Sequence, residues 1–211
     1  VIIPQITIET PVVEVLRERR PDCRIVVLTG YGAIATAVAA VKIGAKTVLL
    51  PECGHAYGAA RWEAARWYGS ALPVRIIHMT EFLDEMIAAG RIRVKPIGES
   101  ATFHDPCQIV RRGGLEAAAR RVLAGLGFKL LGLEDHGLTG FCCGGGGGVV
   151  SNLRAAPLRA GVFEMKRQQV DATGAKRFVT SCGQCRITLE TGARNAKWDK
   201  PVVSISSQRS A

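Results

Sequence analysis

Residues 141–148 read Phe-Cys-Cys-Gly-Gly-Gly-Gly-Gly, and no other stretch restricts the fold of this chain so tightly. Five glycines in a row lose a large backbone entropy on ordering, so an interaction at this loop must compensate. Two adjacent cysteines do not readily chelate one small tetrahedral ion. Further thiols stand at Cys107, with 34 residues between it and Cys142, and in Cys182-Gly183-Gln184-Cys185, with 38 residues between Cys143 and Cys182. Thiolate-rich sites select zinc, copper(I) or iron–sulfur clusters. Zinc takes four ligands in a closed tetrahedron, commonly as two separated pairs, which an adjacent pair and a fifth thiol fit poorly. A cluster of several irons fits better, because neighbouring thiolates can bind different irons. The expected ligands are Cys107, Cys142, Cys143, Cys182 and Cys185. Gly144, Gly145 and Gly146 would let the backbone approach the cluster and offer N–H groups to its sulfides, which raises a reduction potential. Two blander readings stand beside this one: a zinc-binding structural module, and small buried core cysteines.

The rest of the chain supplies strand ends on which such thiols can meet. Residues 24–29 (RIVVLT) and 47–50 (TVLL) are short continuous apolar runs, the mark of parallel strands covered on both faces. Residues 33–43 between them have a helical pattern closed by Gly44, giving a right-handed βαβ unit. Residues 11–20 fit a short helix and 57–68 another, with Trp62 and Trp67 expected to pack. Residues 74–78 suggest a strand and 81–89 a helix capped by Thr80 and stopped by Gly90. After a linker at 96–100 the pattern restarts: strand 101–104, helix 115–126, strand 128–133, helix 152–171 perturbed by Pro157, strand 177–180, helix 186–195 and strand 202–205. An echo links the halves. Gly44-Ala45-Lys46, a strand and Pro51-Glu52-Cys53-Gly54-His55-Ala56 correspond to Gly174-Ala175-Lys176, a strand and Ser181-Cys182-Gly183-Gln184-Cys185, with one residue of slippage. The expected fold is α/β: two pseudo-symmetric Rossmann-like halves with parallel sheets, divided into residues 1–98 and 99–211. Sites in such sheets gather at the carboxyl ends of strands.

Composition narrows the function. With 47% hydrophobic residues the 211-residue chain can bury a real core, and seven cysteines without a signal-peptide pattern favour metal or catalysis over disulfides. No run approaches eighteen uncharged apolar residues. The expectation is a cytoplasmic protein, peripheral to a membrane only through a partner. A net charge of +10 suggests an anionic partner, yet the arginines are scattered over predicted helices and aromatics make up only 6%, with no groove- or strand-binding motif. Nucleic acid is not the expected partner; cluster thiolates offset part of the excess charge. The chain starts at Val1, without Met, cap or turn, which suggests a start inside a longer protein or processing.

The segments His104-Asp105-Pro106-Cys107, Cys142-Cys143-Gly144 through Gly148 and Ser181-Cys182-Gly183-Gln184-Cys185 resemble the cysteine-rich CCG domain. That domain occurs in the B and D subunits of heterodisulfide reductases, in components of dissimilatory sulfite-reduction complexes and in the iron–sulfur subunit of glycolate oxidase. The resemblance runs from about residue 47 to 206, with 1–98 as a degenerate first CCG-like half and 99–211 as the cluster-binding half. It implies a noncubane [4Fe–4S] cluster held by the five cysteines, with an open iron that engages substrate sulfur during cleavage of a disulfide. Electrons would arrive from partner redox subunits carrying cubane clusters or flavin, and the substrate would be a disulfide or protein thiol. A non-catalytic electron-transfer or scaffold subunit is the alternative. The gap of 38 residues before Cys182 is slightly longer than the family pattern, an extension that a surface connection absorbs at small entropic cost.

The same resemblance implies that Cys53 and His55 face the cluster across a pseudo-twofold, lining the substrate site with His55 as proton donor to a leaving thiolate. A histidine beside a turn also has a purely structural reading. His104 and Asp105 are expected to orient their loop by hydrogen bonds behind the ligands. Arg111 and Arg112 read equally as an acidic-partner site or a solvated helix start. Residues 24–45 additionally resemble the fourth strand and helix of a response-regulator receiver domain. Leu50-Pro51 replaces the Lys-Pro of such receivers and no acidic pocket precedes the segment, which speaks against phosphorelay function. Cys23 has no matching partner and is treated as incidental.

Overall fold

In the computed structural model of the protein, residues 26–28, 41, 46–92 and 94–207 are described. The expectations for residues 1–10, 11–20 and 33–43 and for Cys23 lie outside them. The chain divides into two compact units, Val1–Met79 and Thr80–Ala211.

In the first unit β1 (Val26–Leu28), β2 (Thr47–Leu50) and β3 (Arg75–His78) form a parallel sheet in that order. Val48, Leu49 and Leu50 are all buried, as a strand covered on both faces requires. The helical run after β2 comprises α1 (Gly54–Gly58), a π turn (Ala59–Glu63) and α2 (Ala64–Tyr68), ended by Gly69 at φ +85°. Tyr57 is its buried anchor, in edge contact with His78 and Trp62. The two tryptophans depart from expectation: Trp62 is 38% and Trp67 75% exposed, because the inward stripe of this helix is made by Ala56, Tyr57, Ala60 and Ala64.

The second unit begins with α3 (Met79–Ala88), which follows β3 directly. Thr80 is buried within this helix and is not its cap. A four-stranded parallel sheet follows, built from β4 (Ser100–His104), β5 (Lys129–Leu130), β6 (Arg177–Thr180) and β7 (Val202–Ser204) in the order β5-β4-β6-β7. Three helices connect these strands: α4 (Glu116–Gly125), α5 (Ala156–Thr173) and α6 (Gly183–Asn195). Alternation along the strands separates two cores. Ala101, Phe103 and Val179 face Val122 and Leu123 of α4, with Leu83 and Ile87 of α3 packed alongside. Phe178 and Val202 face Phe163 and Val170 of α5 and Leu189 and Ala193 of α6. Each large side chain fully buried here contributes about 1.5–3 kcal/mol of transfer free energy.

From β4 the chain steps outward to β5, then returns across β4 to β6 and continues to β7. The strand order therefore reverses between β4 and β6, the place where doubly wound sheets open a crevice beyond their strand ends. The triple β4-β6-β7 repeats the order of β1-β2-β3, and the middle strand of each triple leads into a cysteine that caps a helix. Cys53 (φ −115°, ψ 101°) precedes α1 and Cys182 (φ −124°, ψ 121°) precedes α6.

Three expected boundaries shift for identifiable reasons. β5 pairs over two residues only, because the chain beyond it is drawn off the sheet edge by the contacts described below. Pro157 stands at the start of α5, where its missing N–H costs nothing, while residues 149–155 form 3₁₀ turns capped by the Asn152 side chain. α6 begins at Gly183 rather than 186, since the Cys182 carbonyl already accepts from the Arg186 N–H at 2.9 Å.

Candidate metal centre

Directly after β4 comes a buried Asp105, whose carboxylate organises the loops around it. It accepts from both terminal nitrogens of Arg120 on α4, at 2.8 and 3.0 Å, and from the Gly137 N–H at 2.6 Å. This bidentate pairing ties the end of β4 to the segment leading into the adjacent cysteines. Arg111 completes the tether by donating to the carbonyls of Leu138, at 3.1 Å, and Gly140. Its guanidinium is thus committed to the loop, and the reading of Arg111 as an acidic-partner site gives way to a structural one.

These tethers and the end of β6 bring the five expected cysteines together. Hydrogen-bonding contacts link Cys107 to Cys142, Cys142 to Cys143, Cys143 to Cys185 and Cys185 to Cys182. Cys143, Cys182 and Cys185 are buried, Cys107 is half-buried and Cys142 is exposed, so the thiols run from the core to the surface. Cys185 lies in the first turn of α6, three residues after the cap Cys182. That spacing puts both on one side of the helix start, where the dipole favours negative charge.

The electrostatics express the crowding. The neighbouring thiols of Cys107 and Cys143, then the Gly144 N–H at 3.3 Å, hold the Cys142 thiol far below its ordinary value. The counterpart is Cys107, driven well up by its contact with Cys142 and by burial. Cys143 is pushed up to about 11, first by Cys142, and Cys185 rises through its contacts with Cys143 and Cys182. One thiolate is shared among neighbours that keep their protons, which a metal would displace.

The glycines serve the same geometry. Gly144 has φ +82°, and its N–H points at the Cys142 sulfur; the Gly145 N–H interacts with Cys143. A Cβ on Gly145 would lie 1.9 Å from the Thr188 hydroxyl of α6, so only glycine lets this loop seat against that helix. Gly146 contributes its carbonyl to a turn with the Val149 N–H at 3.1 Å.

Two further side chains reach the site. His104, the last residue of β4, is 1% exposed, and neither ring nitrogen has a hydrogen-bond partner among the described residues. Burial, then Lys166, pushes its pKa down to about 3. Lys166 is equally buried on α5, its Nζ 3.8 Å from the centroid of the Phe141 ring. Desolvation lowers its pKa to about 8 against the pull of Asp135, Asp105, Cys143 and Cys142. Sequence reading passed over Lys166, although its register with Phe163 and Val170 puts it on the inward stripe of α5. Cys53 and His55 belong to the first unit. Cys53 caps α1, its sulfur accepting from the Ala56 N–H at 3.4 Å, and His55 is exposed.

Five thiols linked neighbour to neighbour, at the point where the strand order reverses, are a donor set suited to an iron–sulfur cluster. Residues 101–190 match the family described as the CCG cysteine-rich domain. That match lies within the second unit. Over 166 residues the chain is 34% identical to the D subunit of the dihydromethanophenazine:CoB–CoM heterodisulfide reductase of Methanosarcina barkeri, covering 78% of this chain and 40% of that protein. A probable membrane-anchored ferredoxin of Chromohalobacter salexigens is 34% identical over 114 residues, 54% of this chain and 17% of that protein. A different match spans 38 residues, 18% of this chain, at 92% identity to 21% of the photosynthetic apparatus regulatory protein RegA of Cereibacter sphaeroides. The receiver-like resemblance is thus a homology confined to a short segment. The chain spans about 40% of the length of the reductase component that it matches. No helix among the described residues is long and apolar enough to cross a membrane.

Proposed function

We propose that this chain is an iron–sulfur subunit of a heterodisulfide-reductase-like complex. It holds a [4Fe–4S] cluster of noncubane type through Cys107, Cys142, Cys143, Cys182 and Cys185. The observation that carries this reading is the unbroken run of thiol contacts from Cys182 at the core to Cys142 at the surface. When bound, the cluster would accept single electrons from a partner redox subunit, with cubane clusters or flavin, and offer an iron to a substrate sulfur. Cleaving a disulfide to two thiols takes two electrons and two protons, both supplied from outside the CCG domain. Within the domain, Cys143, Cys182 and Cys185 anchor the inner side, while Cys107 and Cys142 form the side open to substrate. Asp105 and Arg111 hold the two outer loops in register. Lys166 provides a buried cation that offsets the charge of five thiolates.

The similarity to a ferredoxin favours a second reading, in which the chain relays electrons and meets no substrate. Anaerobic purification, iron and sulfide quantitation and EPR with and without added thiol separate the two. We expect about four irons and four sulfides per chain and an EPR signal altered by thiol. A signal indifferent to thiol favours the relay, and a chain without iron sinks both.

A further inference from the structure

His104 stands at the inner end of the thiol run, and its position is not that of a packing residue. One ring nitrogen lies within 4.8 Å of the sulfurs of Cys143 and Cys185, which are themselves within 4.8 Å of each other; all three residues are buried. Donors sharing one tetrahedral metal stand about 3.5–3.8 Å apart, given metal–sulfur bonds of about 2.3 Å and metal–nitrogen bonds of about 2.0 Å. The ring nitrogen and either sulfur therefore need only a small adjustment to share an iron.

The rest of the ring's surroundings offers no competing role. Among the described residues its two nitrogens are buried without a hydrogen-bond partner, an arrangement that is unfavourable unless something else satisfies it. Phe178 meets the ring edge-on, at 6.2 Å between centroids, and fixes its plane without supplying an acceptor. The strand register is what delivers it. His104 lies opposite Thr180 in the β4–β6 ladder, on the same face as Thr102 and Phe178 and so toward the core that contains Cys143 and Cys185.

We propose that His104 is a nitrogen ligand of the cluster, sharing an iron with one of Cys143 and Cys185. The proposal rests on the cluster reading above and deepens it: the CCG domain would present a mixed imidazole–thiolate set at its buried end. A neutral imidazole brings less negative charge to an iron than a thiolate would, which raises its potential. The buried end of the cluster thereby becomes the favoured seat of the incoming electron, away from the exposed Cys142.

The test uses the full chain, purified anaerobically with its cluster and reduced. Iron and sulfide are quantified, and pulsed EPR is recorded on protein grown with natural and with ¹⁵N-labelled histidine. We expect the strong hyperfine coupling of a coordinated nitrogen, replaced by its ¹⁵N counterpart on labelling and lost in His104→Phe. His104→Cys restores a thiolate, so it should retain iron and sulfide, lack the nitrogen coupling and show a more negative midpoint potential. Iron and sulfide without nitrogen coupling in the parent overturn the ligand assignment alone, as does a weak coupling typical of a hydrogen bond, or a strong one that survives in His104→Phe. A parent without iron overturns the cluster and this assignment together. Because the labelled parent decides the question, a failure of His104→Phe to fold leaves the test intact.

Discussion

His78, at the end of β3, is buried beside Tyr57, and desolvation pushes its pKa down to about 3 from the ordinary value near 6.5. The folded state therefore holds the neutral ring, while the unfolded chain can take up a proton. The sign follows: the stabilisation is fully present above about pH 6.5 and is lost as pH falls toward about 3, at about 1.4 kcal/mol per pH unit at most. Denaturant unfolding of the parent and of His78→Phe between pH 7 and pH 4.5 checks this. The parent should lose stability relative to the variant as pH falls, carboxylate titrations being common to both. A pH-independent difference would show that His78 titrates alike in the folded and unfolded chain. The same chemistry makes His104 informative, since a buried imidazole with no hydrogen-bond partner among the described residues calls for a ligand.

The elements of the CCG domain matter as platforms for loops. α6 presents Cys185 in its first turn and, one turn later, the Thr188 hydroxyl that the glycine loop must clear. Thr188 Oγ1 is itself fixed by the Gln184 carbonyl at 2.9 Å, so it has little freedom to yield. Gly145→Ala should cost about 1–3 kcal/mol by overpacking and displace Cys143 from Cys185. Urea unfolding together with iron content after anaerobic reconstitution would register both losses. Pairing it with Thr188→Ala should recover part of the stability; no recovery would mean that the glycine is needed for its backbone conformation and not for clearance. Some of this was legible beforehand. The apolar runs of β4 and β6 each end in a cysteine-bearing segment, so the placement of Cys107, Cys182 and Cys185 at one edge of the sheet follows from parallel topology alone. The short β5 and the early start of α6 were not legible. They depend on Asp105 and Arg111 reaching across to residues 137–140, and on the extended backbone of Cys182.

At the scale of the molecule, all five cysteines, both tethers and the two cores described lie within Thr80–Ala211. α3 belongs there too, joined by an Asp84–Arg121 ion pair at 2.6 Å and by the packing of Leu83 and Ile87 on the core. A fragment of residues 80–211 should therefore fold and take up iron and sulfide at the stoichiometry of the full chain. Circular dichroism and metal quantitation would measure this, and a folded fragment that binds no iron would mean that the first unit supplies a ligand. Charge behaves locally at this scale. Arg120, Arg121, Arg167, Arg177 and Arg186 are each paired with a carboxylate, so the net excess of +10 rests on other basic side chains.

What the sequence alone determined was the chemistry and the topology: thiols of a stated number and spacing, placed at strand ends by period and punctuation, since both signals are local. It also carried the echo between the two cysteine-capped helices. Only the tertiary structure decided which side chains stand behind the thiols. Asp105 finds Arg120 and Gly137, Lys166 turns inward from α5, and His104 reaches Cys143 and Cys185. Each of these is a contact between elements far apart in the chain, set by sheet register and helix facing, and therefore invisible to any local pattern.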